Sequence, residues 1–415
     1  MSSNNFASLG LAEPLLRALA QSGFIEPTPI QVKAIPPLLE GRDIVGVAQT
    51  GSGKTAAFAL PMLQHLTAHP VPQRPFTARA LILAPTRELA LQIEESINKL
   101  GSGMQRRRVV AILGGMSRSM QVRRMQSGAD IVVGTPGRIC DLMATRELRL
   151  DQVRHFVLDE GDRMLDLGFI KDIRRIVAAL PAERQSSLFS ATMPTEVRRL
   201  AEGMLRDPVR VEIAGTTTTV PRIEQHVHIV GSSAKRALLG TLLADPSLSR
   251  VIVFTRTKHT ANKVAEHLEA GGVNVDALHG NKSQPARNKA LDRFRSGRAR
   301  VLVATDIAAR GIDVTGISHV INFDLPAQAE DYVHRIGRTA RAGAAGIAIS
   351  FCDPAERGAL RAIERMTGAP MNIASGGFSA GPREANDDAP RQAPRPQQRR
   401  RYRPGGNHGG MRPAA

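Results

Sequence analysis

Short apolar runs rich in β-branched residues recur along the chain and alternate with longer amphipathic segments. The runs of the first half lie at 44–47, 81–84, 109–113, 131–133 and 156–158. A second series lies at 251–254, 273–277, 301–304, 320–323 and 347–351. Continuous apolar runs indicate strands that are buried on both faces, and the amphipathic segments between them indicate helices that cover those faces. The pattern therefore predicts two α/β domains, each built on a parallel sheet.

Changes in composition mark the ends of these domains. The segment AGTTTTVP at 214–221 has little to bury, so it is predicted to be a linker between a first domain, 1–213, and a second domain, 222–373. From 374 to 415 the apolar periodicity stops, and Gly, Pro, Gln and Arg dominate. A segment of that composition cannot bury enough apolar surface to fold, which predicts a disordered basic tail.

Charge and cysteine content narrow the class of protein. A formal net charge of +18 favours a polyanionic partner, either nucleic acid or an acidic membrane surface. The two cysteines, Cys140 and Cys352, are too few for a disulfide framework and are expected to be reduced and near the core, which favours a cytoplasmic location. The N-terminus has no signal-peptide pattern and no run of eighteen apolar residues occurs, so neither secretion nor membrane spanning is expected.

The segment AQTGSGKT at 48–55 has the sequence and the setting of a phosphate-binding loop, because it follows an apolar strand and precedes a helical run. Gly51 and Gly53 let backbone N–H groups close round an anion, Lys54 adds a positive charge, and the Thr55 hydroxyl can ligate Mg²⁺. Ala48 stands where the strict pattern has its first glycine. The predicted ATP-binding residues of the loop are Ala48, Gln49, Thr50, Gly51, Ser52, Gly53, Lys54 and Thr55.

The acidic tetrapeptide DEGD at 159–162 directly follows the apolar run at 156–158. A carboxylate at the end of a buried strand can hold Mg²⁺, and a second one beside it can orient the attacking water. Asp159 is therefore predicted to bind Mg²⁺ through water, and Glu160 to position the water that attacks ATP. The alternative is that the acidic residues only cap the helix that follows.

These motifs belong to a larger set that extends from Phe6 to Cys352. The set comprises GFIEPTPIQ at 23–31, AQTGSGKT, PTREL at 85–89, Gly114-Gly115, TPGR at 135–138, DEGD, SAT at 190–192, SQPAR at 283–287, TDIAARGID at 305–313 and HRIGRTAR at 334–341. So many motifs in one order are not a chance match. The chain resembles DEAD-box ATP-dependent RNA helicases, and within them the RhlE-like bacterial subgroup, with DEGD in place of DEAD.

The resemblance implies two RecA-like doubly wound domains in tandem, with ATP and Mg²⁺ bound between them. GFIEPTPIQ would recognise adenine, with the Gln31 amide pairing with the N6 and N7 edge. Phe6 and Phe24 would lie near the base, unless they are ordinary core residues. The remaining implied roles fall to residues of later motifs: Arg338 and Arg341 at the γ-phosphate, Asp313 at the ribose, and Asp162, Ser190, Thr192 and His334 in coupling ATP to RNA.

The resemblance also implies sequence-independent binding of RNA through its backbone, with RNA-stimulated ATP hydrolysis that locally separates short duplexes or remodels RNA–protein complexes. The implied RNA-binding residues are Pro85, Thr86, Arg87, Gly114, Gly115, Thr135, Pro136, Gly137, Arg138, Arg256, Gln284, Arg287 and Thr305. Ribosomal or RNA-degradation complexes are the expected partners. The tail is either a solubilising extension or an RNA tether, and its arginines favour the tether because Arg pairs with phosphate and stacks on bases.

Two positions depart from the family pattern: Gly161 replaces the Ala of DEAD, and Ala340 replaces the Gly of HRIGRTGR. Neither change removes a charge or a hydrogen-bonding side chain, so we expect activity to be retained, with weaker coupling at Gly161 because a glycine loosens the backbone. Two other functions remain open. One is an ATP-gated RNA clamp with negligible turnover, which the intact Glu160, Arg338 and Arg341 disfavour; the other is a DNA-directed translocase, which the SAT and TPGR motifs disfavour.

Overall fold

Two parallel sheets of seven strands each form the centre of the molecule. The structure, a computed structural model, describes residues 5–49, 51–104, 107–213, 223–309, 314, 316–340 and 346–375. Thr50, Asp313, Arg341, the predicted linker at 214–221 and the predicted tail from 376 onward lie outside the described residues. Ala374 and Ser375 belong to the last strand of the second sheet, so the boundary predicted for the tail falls two residues early.

Every apolar run of the sequence contributes to a strand. The strands of the first sheet are β1 Ile44–Val47, β2 Ala78–Leu83, β3 Val109–Ile112, β4 Ala129–Gly134, β5 His155–Asp159, β6 Gln185–Ser190 and β7 Val209–Glu212. Those of the second are β8 Ile223–Ile229, β9 Val251–Thr255, β10 Val275–Leu278, β11 Val301–Thr305, β12 His319–Asn322, β13 Gly346–Cys352 and β14 Asn372–Ser375.

The two sheets share one topology. The first has the strand order β3-β4-β2-β5-β6-β1-β7, and the second has the order β10-β11-β9-β12-β13-β8-β14, which is the same order shifted by seven strands. The paired strands are parallel throughout. Parallel neighbours need crossover connections, and these are made by helices. The molecule therefore contains two doubly wound domains in tandem, as predicted.

Helices connect the strands in both domains. Those of the first domain are α1 Glu13–Gln21, α2 Pro29–Leu39, α3 Lys54–Ala68, α4 Arg87–Leu100, α5 Arg118–Met125, α6 Pro136–Ala144, α7 Gly161–Asp166, α8 Ile170–Ala178 and α9 Thr195–Met204. Those of the second are α10 Lys235–Leu243, α11 Lys258–Ala270, α12 Gln284–Arg295, α13 Asp306–Ala309, α14 Ala329–Ile336 and α15 Arg357–Thr367. Short 3₁₀ helices span Phe6–Leu9 and Pro354–Glu356.

Each sheet separates two apolar cores. Along β2, Ile82 packs into one core and Leu81 into the other. In the second sheet, Val253 and Ile252 of β9 divide between its two cores in the same way. Side chains of a strand alternate between faces, so a strand buried on both faces must be apolar at every position, and this is why the central strands appear as unbroken apolar runs.

Polar motifs follow the carboxyl ends of these strands. The phosphate loop follows β1. The acidic tetrapeptide begins with the last residue of β5, and the SAT motif begins with the last residue of β6. In open α/β sheets, ligands bind in the crevice at this edge. Both free cysteines are buried, as expected. None of the described helices is long and apolar enough to cross a membrane.

Candidate ATP and RNA site

The phosphate loop bends through two glycines in the left-handed region, Gly51 at φ 83° and Gly53 at φ 93°. A Cβ at Gly53 would lie 2.4 Å from Gln31 Nε2, so only glycine fits there. Lys54 begins α3 and is buried, and its Nζ donates to the Ala48 carbonyl oxygen at 2.8 Å. The loop therefore brings the N-terminus of α3 and a buried positive charge together, an arrangement suited to binding the phosphates of a nucleotide.

Gln31 ties the predicted adenine-binding segment to this loop. It lies in the first turn of α2, where its Oε1 accepts a hydrogen bond from Thr28 N at 2.9 Å. Its Nε2 donates to the Gly53 carbonyl oxygen at 3.1 Å. Both ends of the amide thus have backbone partners in the structure, and the carboxamide oxygen keeps a second lone pair for a base.

The two predicted aromatic contacts have different environments. Phe6 is 5% exposed and belongs to the core of the first domain, which agrees with the alternative that it is an ordinary core residue. Phe24 is 37% exposed and meets Phe6 edge to face, with ring centroids 6.4 Å apart. Phe24 therefore offers an accessible ring beside the adenine segment, and Phe6 supports it from below.

Asp159 ends β5 as a buried carboxylate. Burial, opposed by Lys54 and aided by the neighbouring Glu160, raises the pKa of Asp159 to about 7. A carboxylate that is poorly solvated gains most from a cation, and the Asp159 carboxylate and the Thr55 hydroxyl are the hard oxygen ligands that Mg²⁺ prefers. No cluster of three His, Cys, Asp or Glu side chains suited to a metal occurs among the described residues. One carboxylate and one hydroxyl are a donor set that fits Mg²⁺, which uses few protein ligands when it binds a nucleotide.

Glu160 occupies a strained position at the start of α7. Its φ is 56°, in the left-handed region that residues other than glycine rarely adopt. Its carboxylate Oε2 lies 3.5 Å from Arg163 Nε, and both side chains are almost fully buried. Strain of this kind persists where the surrounding structure holds a functional group in place. Arg163 lies outside the sequence motifs named above.

The predicted coupling residues Asp162, Ser190 and Thr192 lie together. Asp162 Oδ2 accepts from Thr192 N at 2.8 Å and from Thr192 Oγ1 at 2.9 Å, and Asp162 N donates to Ser190 Oγ at 3.1 Å. Burial opposes the charge of Asp162, but the hydrogen bonds from Thr192 and Ser190 outweigh it and lower the pKa of Asp162. The Ser190 carbonyl oxygen also accepts from Ala48 N at 3.0 Å. Ser190 therefore joins the acidic tetrapeptide to the phosphate loop.

A cleft of about 670 Å³ lies beside these residues and is lined by both domains. The first domain contributes Asp162 and Thr192, and the second contributes Thr305 and His334. Burial, together with the nearby charge of Arg163, lowers the pKa of His334 to about 4, so the imidazole is neutral at physiological pH. His334 thus faces the coupling residues of the first domain, as its predicted role requires.

Helix α14 carries His334 and leads into Arg338. Arg338 is 3% exposed, and its Nε donates to the His334 carbonyl oxygen at 3.3 Å. Arg335, for which the sequence predicted no role, anchors the helix: its Nε and Nη2 donate to the two carboxylate oxygens of Asp306 at 2.6 and 2.7 Å. Such a bidentate pair fixes orientation as well as position.

Ala340, two residues after Arg338, has a φ of 54°. A left-handed conformation costs a residue with a Cβ about 1–2 kcal/mol. The glycine that the family pattern has at this position would avoid that cost. Gly161 differs, because it is not among the residues with positive φ and an added Cβ would lie 3.3 Å from Leu158 Cδ2.

The predicted RNA contacts of the first domain form one surface. The buried Gln121 of α5 accepts from Leu113 N at 2.8 Å and donates to Leu113 O at 2.9 Å, which fixes the start of the Gly114-Gly115 turn. A Cβ at Gly115 would lie 2.3 Å from Arg87 Nη2, so the guanidinium of Arg87 lies directly on that glycine.

The TPGR motif adjoins this turn. Thr135 Oγ1 accepts from Gly114 N at 3.4 Å, and Arg138 Nη1 donates to Met116 O at 3.2 Å. Pro136 and Gly137 form the first turn of α6. Thr86 caps α4, where its Oγ1 accepts from Leu89 N at 3.3 Å, and Pro85 directly precedes it.

Three predicted RNA contacts instead meet each other across the two domains. Arg287 Nη2 lies 2.7 Å from the buried carboxylate of Glu88, and Arg87 Nη1 donates to Gln284 Oε1 at 3.2 Å. Gln284 Nε2 also donates to Glu88 Oε1 at 3.2 Å. Burial and the neighbouring Arg287 lower the pKa of Arg87. Glu88, whose role the sequence did not suggest, therefore links α4 to α12.

The two remaining predicted RNA contacts lie on the second domain. Arg256 donates to Glu356 at 2.6 Å, yet 54% of its side chain is exposed, so it remains accessible to a phosphate. Thr305, at the end of β11, is buried beside the cleft.

Known proteins resemble this chain over nearly its whole described length. Residues 28–200 match the DEAD/DEAH box helicase family, and residues 234–343 match the helicase conserved C-terminal domain. The chain is 44% identical over 362 residues to the DEAD-box ATP-dependent RNA helicase CshA of Geobacillus kaustophilus, covering 87% of this chain and 76% of that protein. It is 46% identical over the same length to the ATP-dependent RNA helicase CshA of Listeria monocytogenes, covering 68% of that protein.

Solved structures of the same architecture contain the expected ligands. The S. cerevisiae protein Dbp5 bound to RNA and ADP BeF3 matches 90% of this chain and 96% of its own, with a TM-score of 0.80 at 35% identity. Mss116p bound to ssRNA and AMP-PNP matches 90% of this chain and 79% of its own, with a TM-score of 0.81 at 28% identity. Both family matches thus fall on a chain that has the paired domains, the phosphate loop and the acidic tetrapeptide. The chain belongs to the DEAD-box family of RNA helicases.

Proposed function

We propose that this protein is an ATP-dependent RNA helicase that locally separates short RNA duplexes or remodels RNA–protein complexes, with RNA-stimulated hydrolysis of ATP. The observation that carries the proposal is the set of hydrogen bonds around Ser190, which joins the phosphate loop at Ala48 to Asp162. Asp162 in turn lines the cleft that His334 of the second domain enters. The ATP site and the facing domain are therefore connected by direct contacts.

Each part of ATP binding and hydrolysis has a candidate residue in this chain. The loop glycines and Lys54 hold the phosphates, Gln31 and Phe24 hold the base, and Glu160 orients the attacking water. Thr55 and Asp159 would hold Mg²⁺, which neutralises charge on the phosphate oxygens when it is bound. Arg338 and Arg341 stabilise the charge that develops at the γ-phosphate, and Asp313 contacts the ribose.

RNA binding couples to this chemistry through closure of the cleft. ATP is held by groups of both domains, and RNA would also be held by both, so each ligand favours the closed arrangement and raises the affinity for the other by the same factor. Closure bends one strand and opens a short duplex locally, and hydrolysis then releases the strand. The contacts are made to phosphates and sugars by backbone N–H groups and arginines, which bind without reading sequence.

We also propose a subgroup, domain bounds, and a location and partners for this protein. We place the chain in the RhlE-like subgroup from its resemblance between Phe6 and Cys352; a tree of aligned helicase cores that groups it elsewhere would contradict this. We assign the domains to 1–213 and 222–375, joined by the linker at 214–221, and limited proteolysis should cut first within that linker or within the tail. We expect a cytoplasmic protein that acts in ribosomal or RNA-degradation complexes, where its basic tail tethers RNA.

A strand-separation assay tests the proposed function. A labelled RNA duplex of about ten base pairs with a single-stranded extension is incubated with ATP and the purified protein, beside the Lys54→Ala variant and a DNA duplex of the same sequence. We expect ATP-dependent separation of the RNA duplex by the wild type only. ATP hydrolysis without strand separation would favour the clamp, and equal separation of the DNA duplex would favour the DNA translocase.

A further inference from the structure

Arg163, the residue directly after the acidic tetrapeptide, is an arginine buried between the two domains. Its side chain is 3% exposed, and its Nε lies 3.5 Å from Glu160 Oε2. Its Nη1 and Nη2 are buried and have no hydrogen-bond partner among the described residues. Buried cationic donors without acceptors are costly, so such a guanidinium indicates a contact that the site is built to make.

The free end of Arg163 faces the second domain. Arg163 lines a small cavity together with Phe254, Asp306, Asp331, His334, Arg335 and Arg338. Most of the polar groups there are already engaged. Arg335 holds Asp306 through two hydrogen bonds, and Arg338 donates to the His334 backbone. The neutral imidazole of His334 carries one ring nitrogen that can accept a hydrogen bond, which suits a guanidinium donor.

We propose that Arg163 is a positioning residue that transmits the movement of α14 to Glu160. Its Nη1 or Nη2 donates to the imidazole of His334, while its Nε holds the Glu160 carboxylate. When RNA closes the cleft, α14 presses His334 against Arg163 and thereby fixes the carboxylate that orients the attacking water. The proposal rests on the proposed helicase function and adds a second path between the domains, beside the one through Asp162.

The test compares full-length wild type with Arg163→Met and Arg163→Lys, and with Arg174→Met on α8 as a matched control, because Arg174 is exposed. Steady-state ATP hydrolysis is measured with and without single-stranded RNA. For Arg163→Met we expect the RNA-stimulated kcat to fall about tenfold or more, and by a clearly larger factor than the RNA-free rate, while the KM for ATP stays within about threefold of wild type. Arg163→Lys should recover part of the loss, and Arg174→Met should match the wild type.

A double-mutant cycle separates coupling from simple support. If Arg163 and His334 act as one unit, adding His334→Ala to Arg163→Met should lower the stimulated kcat no further than either single change. Full stimulation in Arg163→Met, equal losses with and without RNA, or additive losses in the double variant would each overturn the proposal. If Arg163→Met does not fold, Arg163→Lys with wild-type stimulation would overturn it as well. A wild type that RNA does not stimulate would instead contradict the proposed function.

Discussion

Gln31 Nε2 donates to the Gly53 carbonyl oxygen at 3.1 Å, so the segment predicted to recognise adenine also supports the phosphate loop. The bond crosses between α2 and the loop that begins α3. Adenine binding and phosphate binding therefore depend on one side chain. A ligand that rearranged the Gln31 amide would also move the loop.

Replacing Gln31 by Glu should weaken ATP binding. The carboxylate still accepts from Thr28 N, but it cannot donate to Gly53 O, and it places a negative charge beside the phosphates. We expect the KM for ATP to rise about tenfold, which corresponds to ~1.4 kcal/mol. Gln64→Glu is a matched control, because Gln64 bridges Ala12 N and Gly10 O in the same way. An unchanged KM in Gln31→Glu, or an equal rise in both variants, would contradict the role of this bond.

Gln121 should matter for RNA and not for ATP. Gln121→Leu leaves the backbone groups of Leu113 without their side-chain partner, which frees the Gly114-Gly115 turn from α5. We expect the RNA concentration at half-maximal stimulation to rise about tenfold, with an RNA-free ATPase rate within about twofold of wild type. Gln126→Leu, at the exposed end of the same helix, serves as the control. If RNA half-saturation does not change in a folded Gln121→Leu protein, the turn is not part of the RNA surface.

Gly161→Ala should stabilise the protein. The new methyl would contact Leu188 at 3.7 Å and would need the flexible end of the Leu158 side chain, 3.3 Å away, to shift by a few tenths of an ångström; both leucines belong to the core. Alanine also loses less backbone entropy on folding than glycine. We expect a gain of about 0.5–1 kcal/mol in the free energy of unfolding of the first domain. The weaker coupling expected at Gly161 stays a prediction, and Gly161→Ala should then raise RNA stimulation modestly.

Denaturant unfolding and RNA-stimulated ATP hydrolysis measure these two effects separately. Gly203→Ala on α9 is the control, since a Cβ there meets nothing within 4 Å and reports only the backbone effect. A loss of stability in Gly161→Ala but not in Gly203→Ala would show that Leu158 cannot make room for the methyl, and it would contradict this prediction.

His155 should make the first domain sensitive to acid. Burial and, less strongly, the nearby His65, Arg79 and His69 together lower the pKa of His155 to about 4, against a hydrogen bond that the imidazole donates to Gln185 Oε1. Because the folded-state pKa lies below the ordinary value of about 6.5, the unfolded chain binds more protons between these values, and stability is lost as pH falls from 6.5 to 4. The loss amounts to at most about 3 kcal/mol.

The His155→Asn variant removes this titration. Urea unfolding at pH 7, 5.5 and 4.5 should show a smaller loss of stability in His155→Asn than in the wild type. Parallel pH profiles for the two proteins would rule out His155 as a source of the acid sensitivity.

The sequence predicted the central strands and the motif residues because both leave local signals. Strand β5 is an unbroken apolar run, and its last residue, Asp159, lies at the sheet edge where ligands bind. Strand β6 escaped the pattern because Gln185, Ser186 and Ser187 are polar. Their presence is explained by contacts far along the chain, such as the hydrogen bonds from Gln185 Nε2 to Leu38 O and Arg42 O, both at 2.9 Å.

The missed site residues are those that act through distant partners. Gln121 lies on a polar helix, and only the fold shows that it is buried against Leu113. Glu88 appears as one more charge of α4 until α12 brings Arg287 to it. Arg163 had a weak local signal, since it follows Glu160 by three residues and such pairs meet on a helix. Its position next to the second domain depends on how the two domains meet, which no local sequence signal shows.

The release of inorganic phosphate from ATP, with and without single-stranded RNA, by the wild type and by Glu160→Gln tests this account at its chemical step. The account predicts that RNA raises the rate of the wild type at least tenfold, that single-stranded DNA does so far less, and that Glu160→Gln, which still binds ATP, releases almost no phosphate under any condition. A wild-type rate that RNA leaves unchanged, or a Glu160→Gln protein as active as the wild type, would contradict it.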